Sequence, residues 1–252
     1  MKKCMAANWK MFKTLSEAEE TARALVQKAG SALPRDREVL LLPPFTALKT
    51  VADVLSGQDG FSVGAQNFYP ADQGAYTGEI APDMLRDAGC SYALVGHSER
   101  RHVLGEEDDF LASKVSFGLD KGLKIILCIG ETLEERSNGR LEEVLDRQLS
   151  SALGPLSGQG IAERLAVAYE PVWAIGTGEV AESKDIAEAH GYVRRRLQNL
   201  FSSTGEEVRI LYGGSVKPDN CSEIIHIDNV DGVLVGGAGL KADSFSQIVL
   251  AA

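Results

Sequence analysis

Lys124-Ile125-Ile126-Leu127-Cys128-Ile129, then Gly130-Glu131, then Thr132-Leu133-Glu134-Glu135, is the stretch whose reading decides the fold. The first six residues are the most strand-like run in the chain. Thr132 with Glu135 three positions later has the form of a capping box. The helical pattern from Leu141 to Leu153 completes a strand-helix unit.

Working outward, the same unit recurs along the whole sequence. Strand-like runs cover Cys4 to Ala7, Val39 to Leu42, Phe61 to Ala65, Tyr92 to Val95, Leu165 to Tyr169, Val208 to Leu211 and Val233 to Val235. Between them lie helical patterns. One begins near Ser16, where Ser16-Glu17-Ala18-Glu19 also reads as a capping box. Others span about Thr46 to Leu55, Pro82 to Ala88 and Asp109 to Lys121, and the last three begin near Ser183, Asp219 and Lys241. Pro82 suits a first helical turn, where its missing N–H costs nothing. No strand is joined to the next by a tight hairpin turn, so the strands are expected to be parallel, with helices as crossovers. Eight such units in 252 residues predict an α/β protein, a closed (β/α)8 barrel forming a single domain over residues 1–252. An open doubly wound sheet is the alternative, but no G-x-G-x-x-G follows the first strand.

Composition narrows the function. A net charge of −10 argues against general nucleic-acid binding, which needs a basic face. Arg194-Arg195-Arg196 is the one compact basic run, and late in a helix it reads as a solvated face. Apolar runs are strand-sized, so no membrane span is expected, and the basic N-terminus lacks a signal core. A cytoplasmic location is expected. Cys4, Cys90, Cys128 and Cys221 are scattered, as reduced, packed thiols would be, and no Cys or His spacing suits a metal.

In parallel barrels the reactive groups gather on loops that follow the strands. Those loops hold Asn8-Trp9-Lys10, Gln66-Asn67, Gly96-His97-Ser98-Glu99, Gly130-Glu131, Glu170, Tyr212-Gly213-Gly214-Ser215 and Gly236-Gly237. Each has an ordinary explanation alone, as a turn residue, a core histidine or a helix-starting acid. Their joint placement on one rim is the signal. Glu170 ends an apolar run, and Pro171 restricts it to extended geometry. The segment to Gly178, with Trp173 and Ile175 before Gly176 and Gly178, describes a lid. A covered carboxylate is a good general base, while a histidine at a helix start stays neutral and can polarise a carbonyl. Lys10 can stabilise the negative charge that develops. Amides of Ser215, Gly236, Gly237 and Gly176 could cradle a phosphate. There is no nucleophile elbow. The set suggests proton abstraction next to a carbonyl in a small phosphorylated substrate.

These residues resemble the triosephosphate isomerase family over essentially the whole chain. The resemblance rests on Ala7-Asn8-Trp9-Lys10-Met11, Gly64-Ala65-Gln66-Asn67, Gly74-Ala75-Tyr76-Thr77-Gly78-Glu79 and Val95-Gly96-His97-Ser98-Glu99-Arg100-Arg101. It continues through Cys128-Ile129-Gly130-Glu131-Thr132, Val167 to Gly178, Leu211-Tyr212-Gly213-Gly214-Ser215-Val216 and Asp231 to Ala238. This family is itself a standard worked case of a glutamate base with a neutral histidine under a closing loop. The resemblance implies a TIM barrel that interconverts dihydroxyacetone phosphate and D-glyceraldehyde 3-phosphate, with no metal or organic cofactor. Glu170 is implied as the base, His97 as the electrophile, and Lys10 as the cation that stabilises the enediolate, with Asn8 orienting it. Gly176, Ser215, Gly236 and Gly237 are implied as phosphate holders, and Glu99 as a supporting acid near Lys10. A homodimer is implied too, in which the Gln66 to Glu79 loop reaches the partner and brings Thr77 near its Asn8 and Lys10.

Four features depart from the commonest pattern. Ala7 stands where glycine is usual, Phe12 where a small polar residue is common, and Gly239 where serine is more usual. Glu179-Val180-Ala181 replaces the frequent Lys-Thr-Ala at the far hinge of the lid, which bears on lid closure. Two other readings remain: a related barrel isomerase for a larger sugar phosphate, and a non-catalytic barrel binding protein.

Overall fold

The computed structural model describes residues 1–175 and 179–251. Among them, eight parallel strands close a barrel in sequence order. The strands are β1 (Lys3–Asn8), β2 (Arg37–Leu42), β3 (Phe61–Ala65), β4 (Tyr92–Val95), β5 (Lys124–Ile129), β6 (Leu165–Tyr169), β7 (Arg209–Tyr212) and β8 (Gly232–Val235). Pairing of β1 with β8, which sets Ala7 opposite Val235, closes the ring.

The helices are α1 (Leu15–Ala29), α2 (Leu48–Leu55), α3 (Pro82–Asp87), α4 (Ser98–His102), α5 (Asp108–Asp120), α6 (Leu133–Ser137), α7 (Leu141–Leu153), α8 (Ser183–Phe201), α9 (Cys221–Ile225) and α10 (Ala242–Leu250). Strand and helix positions agree with the sequence reading to within a few residues. Its first capping box does not. Thr14 is the cap of α1, and its N–H donates to Glu17 Oε2 at 2.7 Å, which leaves Ser16 inside the first turn. The box at Thr132 and Glu135 is present as expected.

Each strand is covered on both sides, so its residues are apolar on both. One buried cluster fills the barrel, with Ala6, Leu40, Leu42, Ile126, Cys128, Ala166 and Ala168 among its members. The alternate residues, such as Met5, Ala7, Leu41, Leu127 and Val167, pack outward against the helices. All four cysteines are unpaired and buried, and burial pushes the Cys4 and Cys90 thiols up to about 12.

At the N-terminal ends of the strands a polar plug closes the barrel floor. Arg209 donates to Glu38 Oε1 and, at 2.9 Å, to Tyr92 Oη, and Tyr92 Oη donates on to Glu38 at 2.9 Å. Burial works against the Glu38 charge, but Arg209 and Tyr92 outweigh it and hold the carboxyl below its ordinary range.

The three-arginine run is not a solvated face. Arg194 is buried and donates to the carbonyls of Gly205 and Val208 at 2.6 and 2.7 Å, and to Asp231 Oδ2 at 2.8 Å. The helical period points it inward while Arg195 stays exposed. No helix among the described residues is long and apolar enough to cross a membrane.

Candidate active site

The β1 loop is a tight turn that offers Lys10 to the rim. Asn8, buried at the strand end, accepts the Lys10 N–H on its Oδ1 at 2.9 Å, a local turn typical of Asn. Lys10 sits at φ +50, a left-handed conformation that costs a non-glycine residue about 1 kcal/mol. Gln66 holds it there, donating from Nε2 to the Lys10 and Leu42 carbonyls, each at 2.8 Å. Lys10 Nζ meets Glu99 Oε1 at 2.7 Å, as the sequence reading expects of that acid.

His97 caps α4. Its Nδ1 accepts the Glu99 N–H at 3.3 Å, while the Glu99 carboxylate lies beyond hydrogen-bonding reach of that nitrogen at 3.6 Å. A backbone N–H can only donate, so the ring proton is assigned to Nε2. That nitrogen faces Glu170 Oε1 at 3.0 Å. The other Glu170 oxygen accepts the Ser98 N–H at 2.8 Å. Both oxygens of the buried carboxylate are therefore occupied by donors from one short segment. Arg101 fixes that segment from outside, donating to the Gly96 carbonyl at 2.8 Å and to Asp108 at 2.6 Å.

Two glycines leave room for Glu170. A Cβ on Gly130 would lie 1.7 Å from the Glu170 carbonyl oxygen, and one on Gly213 would lie 2.8 Å from Glu170 Cγ. Gln148, buried on α7, grips Gly130 at both ends. Its Oε1 accepts the Gly130 N–H at 2.8 Å and its Nε2 donates to the Gly130 carbonyl at 3.2 Å. The sequence gives no hint of this clamp, because a glutamine on a helix is ordinary and its partner lies 18 residues away.

Asn8, Lys10, His97 and Glu170 converge on a cavity of about 270 Å³. Its far wall is Gly214, Ser215, Gly236 and Gly237, the glycine-rich turns after β7 and β8, and Ala174 and Ile175 border it from the lid side. Gly176, the remaining expected phosphate holder, lies outside the described residues. Lys217 also lines the cavity and is absent from the sequence reading, although it follows Ser215 by two positions. Gln66, Asn67, Glu99 and Glu131 support the rim without lining that cavity. Glu131 is fully buried and accepts from Trp173 Nε1 at 2.8 Å and Tyr169 Oη at 3.1 Å, so it anchors the segment that follows β6. Burial raises its carboxyl above the ordinary range against the pull of those two donors. Among the described residues no group of three or more His, Cys, Asp or Glu is placed to hold a metal ion.

The comparisons agree with this geometry. The triosephosphate isomerase family model matches residues 3–252. A triosephosphate isomerase of Nitratidesulfovibrio vulgaris (strain DSM 19637 / Miyazaki F) is 59% identical over 251 residues, covering 100% of both chains. One from Oleidesulfovibrio alaskensis is also 59% identical over 251 residues, with the same coverage. The crystal structure of triosephosphate isomerase from Bartonella henselae superposes with a TM-score of 0.88 at 39% identity, covering 98% of each chain. A barrel closed in sequence order, a carboxylate in contact with an imidazole at the wall of a glycine-lined cavity, and identity along the full length agree: the chain belongs to the triosephosphate isomerase family.

Proposed function

We propose that this chain interconverts dihydroxyacetone phosphate and D-glyceraldehyde 3-phosphate through an enediolate, as one barrel domain over residues 1–252 and without a cofactor. The observation that carries the reading is the 3.0 Å contact of His97 Nε2 with Glu170 Oε1, at the wall of a cavity lined by Lys10 and glycine-rich turns. A substrate carbonyl that takes the His97 hydrogen bond frees one Glu170 oxygen. The carboxylate then removes a proton from the carbon next to that carbonyl, and the electron pair moves to the carbonyl oxygen. Lys10 Nζ and the His97 Nε2–H stabilise that oxygen's charge. His97 gives its Nε2 proton to that oxygen and takes up the hydroxyl proton of the neighbouring oxygen, whose C–O bond becomes the new carbonyl. Glu170 delivers a proton to the former carbonyl carbon, and the net change is an isomerisation. No outside oxidant or reductant enters the balance.

The phosphate is assigned to Ser215, Gly236 and Gly237, with Gly176 from the lid, and Asn8 orients Lys10. Closing the lid excludes water, which protects an enediolate from losing its phosphate. Purified protein given D-glyceraldehyde 3-phosphate, with its product reduced by a coupled dehydrogenase, is expected to turn over. A rate equal to background contradicts the reading.

A homodimer through the Gln66 to Glu79 loop belongs to the same reading, as does a cytoplasmic location. Residues 72–79 are all exposed, and Tyr76 stands out among them at 46% exposure. Met11, next to Lys10, is 95% exposed. An apolar side chain held so far into solvent beside the cavity fits burial by a second copy. Sedimentation equilibrium is expected to return twice 27.0 kDa, and a monomer mass would contradict the dimer.

A further inference from the structure

The turn after β8, which carries Gly236 and Gly237, hangs on Gly239. The Gly239 N–H donates to the Gly236 carbonyl at 2.9 Å, and the Gly239 carbonyl accepts Trp9 Nε1–H at 2.9 Å. Trp9 is fully buried and lies between Asn8 and Lys10 in the chain. Any displacement at Gly239 therefore reaches both the turn assigned to phosphate and the loop that presents Lys10.

Gly239 also touches the end of β1. A Cβ added to it would lie 2.9 Å from Ala7 Cβ and 3.4 Å from Ala7 Cα. Neither atom is the tip of a flexible side chain. Ala7 is fully buried on a strand whose register with Val235 is set by the closing seam of the barrel. Real carbon pairs do not approach to that distance, so a larger residue at 239 must push the turn off the strand. Residue 7 carries a methyl group and residue 239 carries no side chain.

We propose that Ala7 and Gly239 are a volume-matched pair that positions the phosphate-holding turn, with the methyl of one filling the space left by the other. Both are positioning residues, since Gly239 and Ala7 act through Gly236, Gly237 and Trp9. The proposal rests on the phosphate assignment made above.

The test is a double-mutant cycle on the full-length protein with A7G, G239S and A7G/G239S. Turnover is measured as KM and kcat, and inorganic phosphate affinity is measured separately by calorimetry. G239S is expected to raise KM and the phosphate Kd by about tenfold, with kcat changed less than about threefold, as overpacking displaces a binding group but not the base. A7G leaves a methyl-sized void and is expected to cost less than about threefold. The double variant should return to within about twofold of the parent, a coupling that contacting residues show and independent ones do not. G239A and A7G/G239A, which add a single methyl, serve if G239S does not fold. Parental KM and phosphate affinity in both G239S and G239A overturn the proposal. So does a double variant no better than its Gly239 single. An inactive parent protein would count against the proposed reaction, while the pair still stands or falls on the calorimetry.

Discussion

At the N-terminal end of the barrel Glu38, Arg209 and Tyr92 bond to one another, and each side chain finds its partners inside the protein. At the C-terminal end Glu170, His97 and Lys10 also have partners, but these three side chains line a cavity. The floor is a closed network whose groups gain nothing from a ligand. The rim is an open one, in which each contact can be exchanged for a contact to substrate. Lys10 in a left-handed conformation, and glycines that let backbone crowd Glu170, are local costs of holding that rim in shape. The same polar chemistry thus stabilises at one end and reacts at the other. Access to the cavity makes the difference.

The largest expected effect lies on the rim. Glu170→Gln keeps the shape and a carbonyl acceptor but removes the proposed base, so kcat should fall by about a thousandfold, within the range attributed to a general base. Thermal unfolding should stay within a few degrees of the parent. A variant that retains activity, or one that fails to fold, would collapse the distinction between the two ends.

Next comes the floor. Glu38→Gln breaks the charge pair with Arg209 and should lower stability by about 2 kcal/mol, roughly 5 °C in Tm, with kcat unchanged. The carboxyl of Glu38 is held below its ordinary value of 4.5 in the folded state. Its contribution is therefore full above that pH and is lost as pH falls through the lower folded value. Denaturant titrations from pH 7 down to 3 should show the gap between parent and variant closing below pH 4.5. A gap that stays constant would mean the charge is not what the floor uses.

The smallest effect is expected at Gln148, which joins the helix layer to the rim. Gln148→Leu removes both bonds to Gly130 and lets the Gly130–Glu170 contact relax. We expect kcat to fall by about tenfold with KM nearly constant, because the proposed base shifts and the turn assigned to phosphate does not. Equal losses in kcat and phosphate affinity would make Gln148 a general structural support instead.

Much of this organisation is legible in the sequence, for physical reasons that also mark its limits. Parallel strands buried on both faces read as unbroken apolar runs, so β5 and β6 are found at their exact residues. Helix starts are less certain where two capping boxes overlap. Ser16 with Glu19 and Thr14 with Glu17 fit the same pattern, and only the path of the chain into α1 chooses Thr14. Arg194, Arg195 and Arg196 look alike in a run, yet a single residue step around the helix separates a buried anchor from an exposed charge. At the site, Asn8, Lys10, His97 and Glu170 are legible because strand ends bring them to one rim. Gln148 and the Ser98 amide are not, since a helix glutamine and a backbone N–H carry no mark of their distant partners.

The account stands most directly on proton transfer to and from carbon by Glu170. The measurement is the isomerisation run in deuterium oxide, with the product analysed by mass spectrometry or proton NMR. A proton held on a carboxylate exchanges with solvent, so the product is expected to carry deuterium on the carbon that receives it, at a rate that falls with Glu170→Gln. Product formed at the full rate with no carbon-bound deuterium would contradict a carboxylate base and an enediolate.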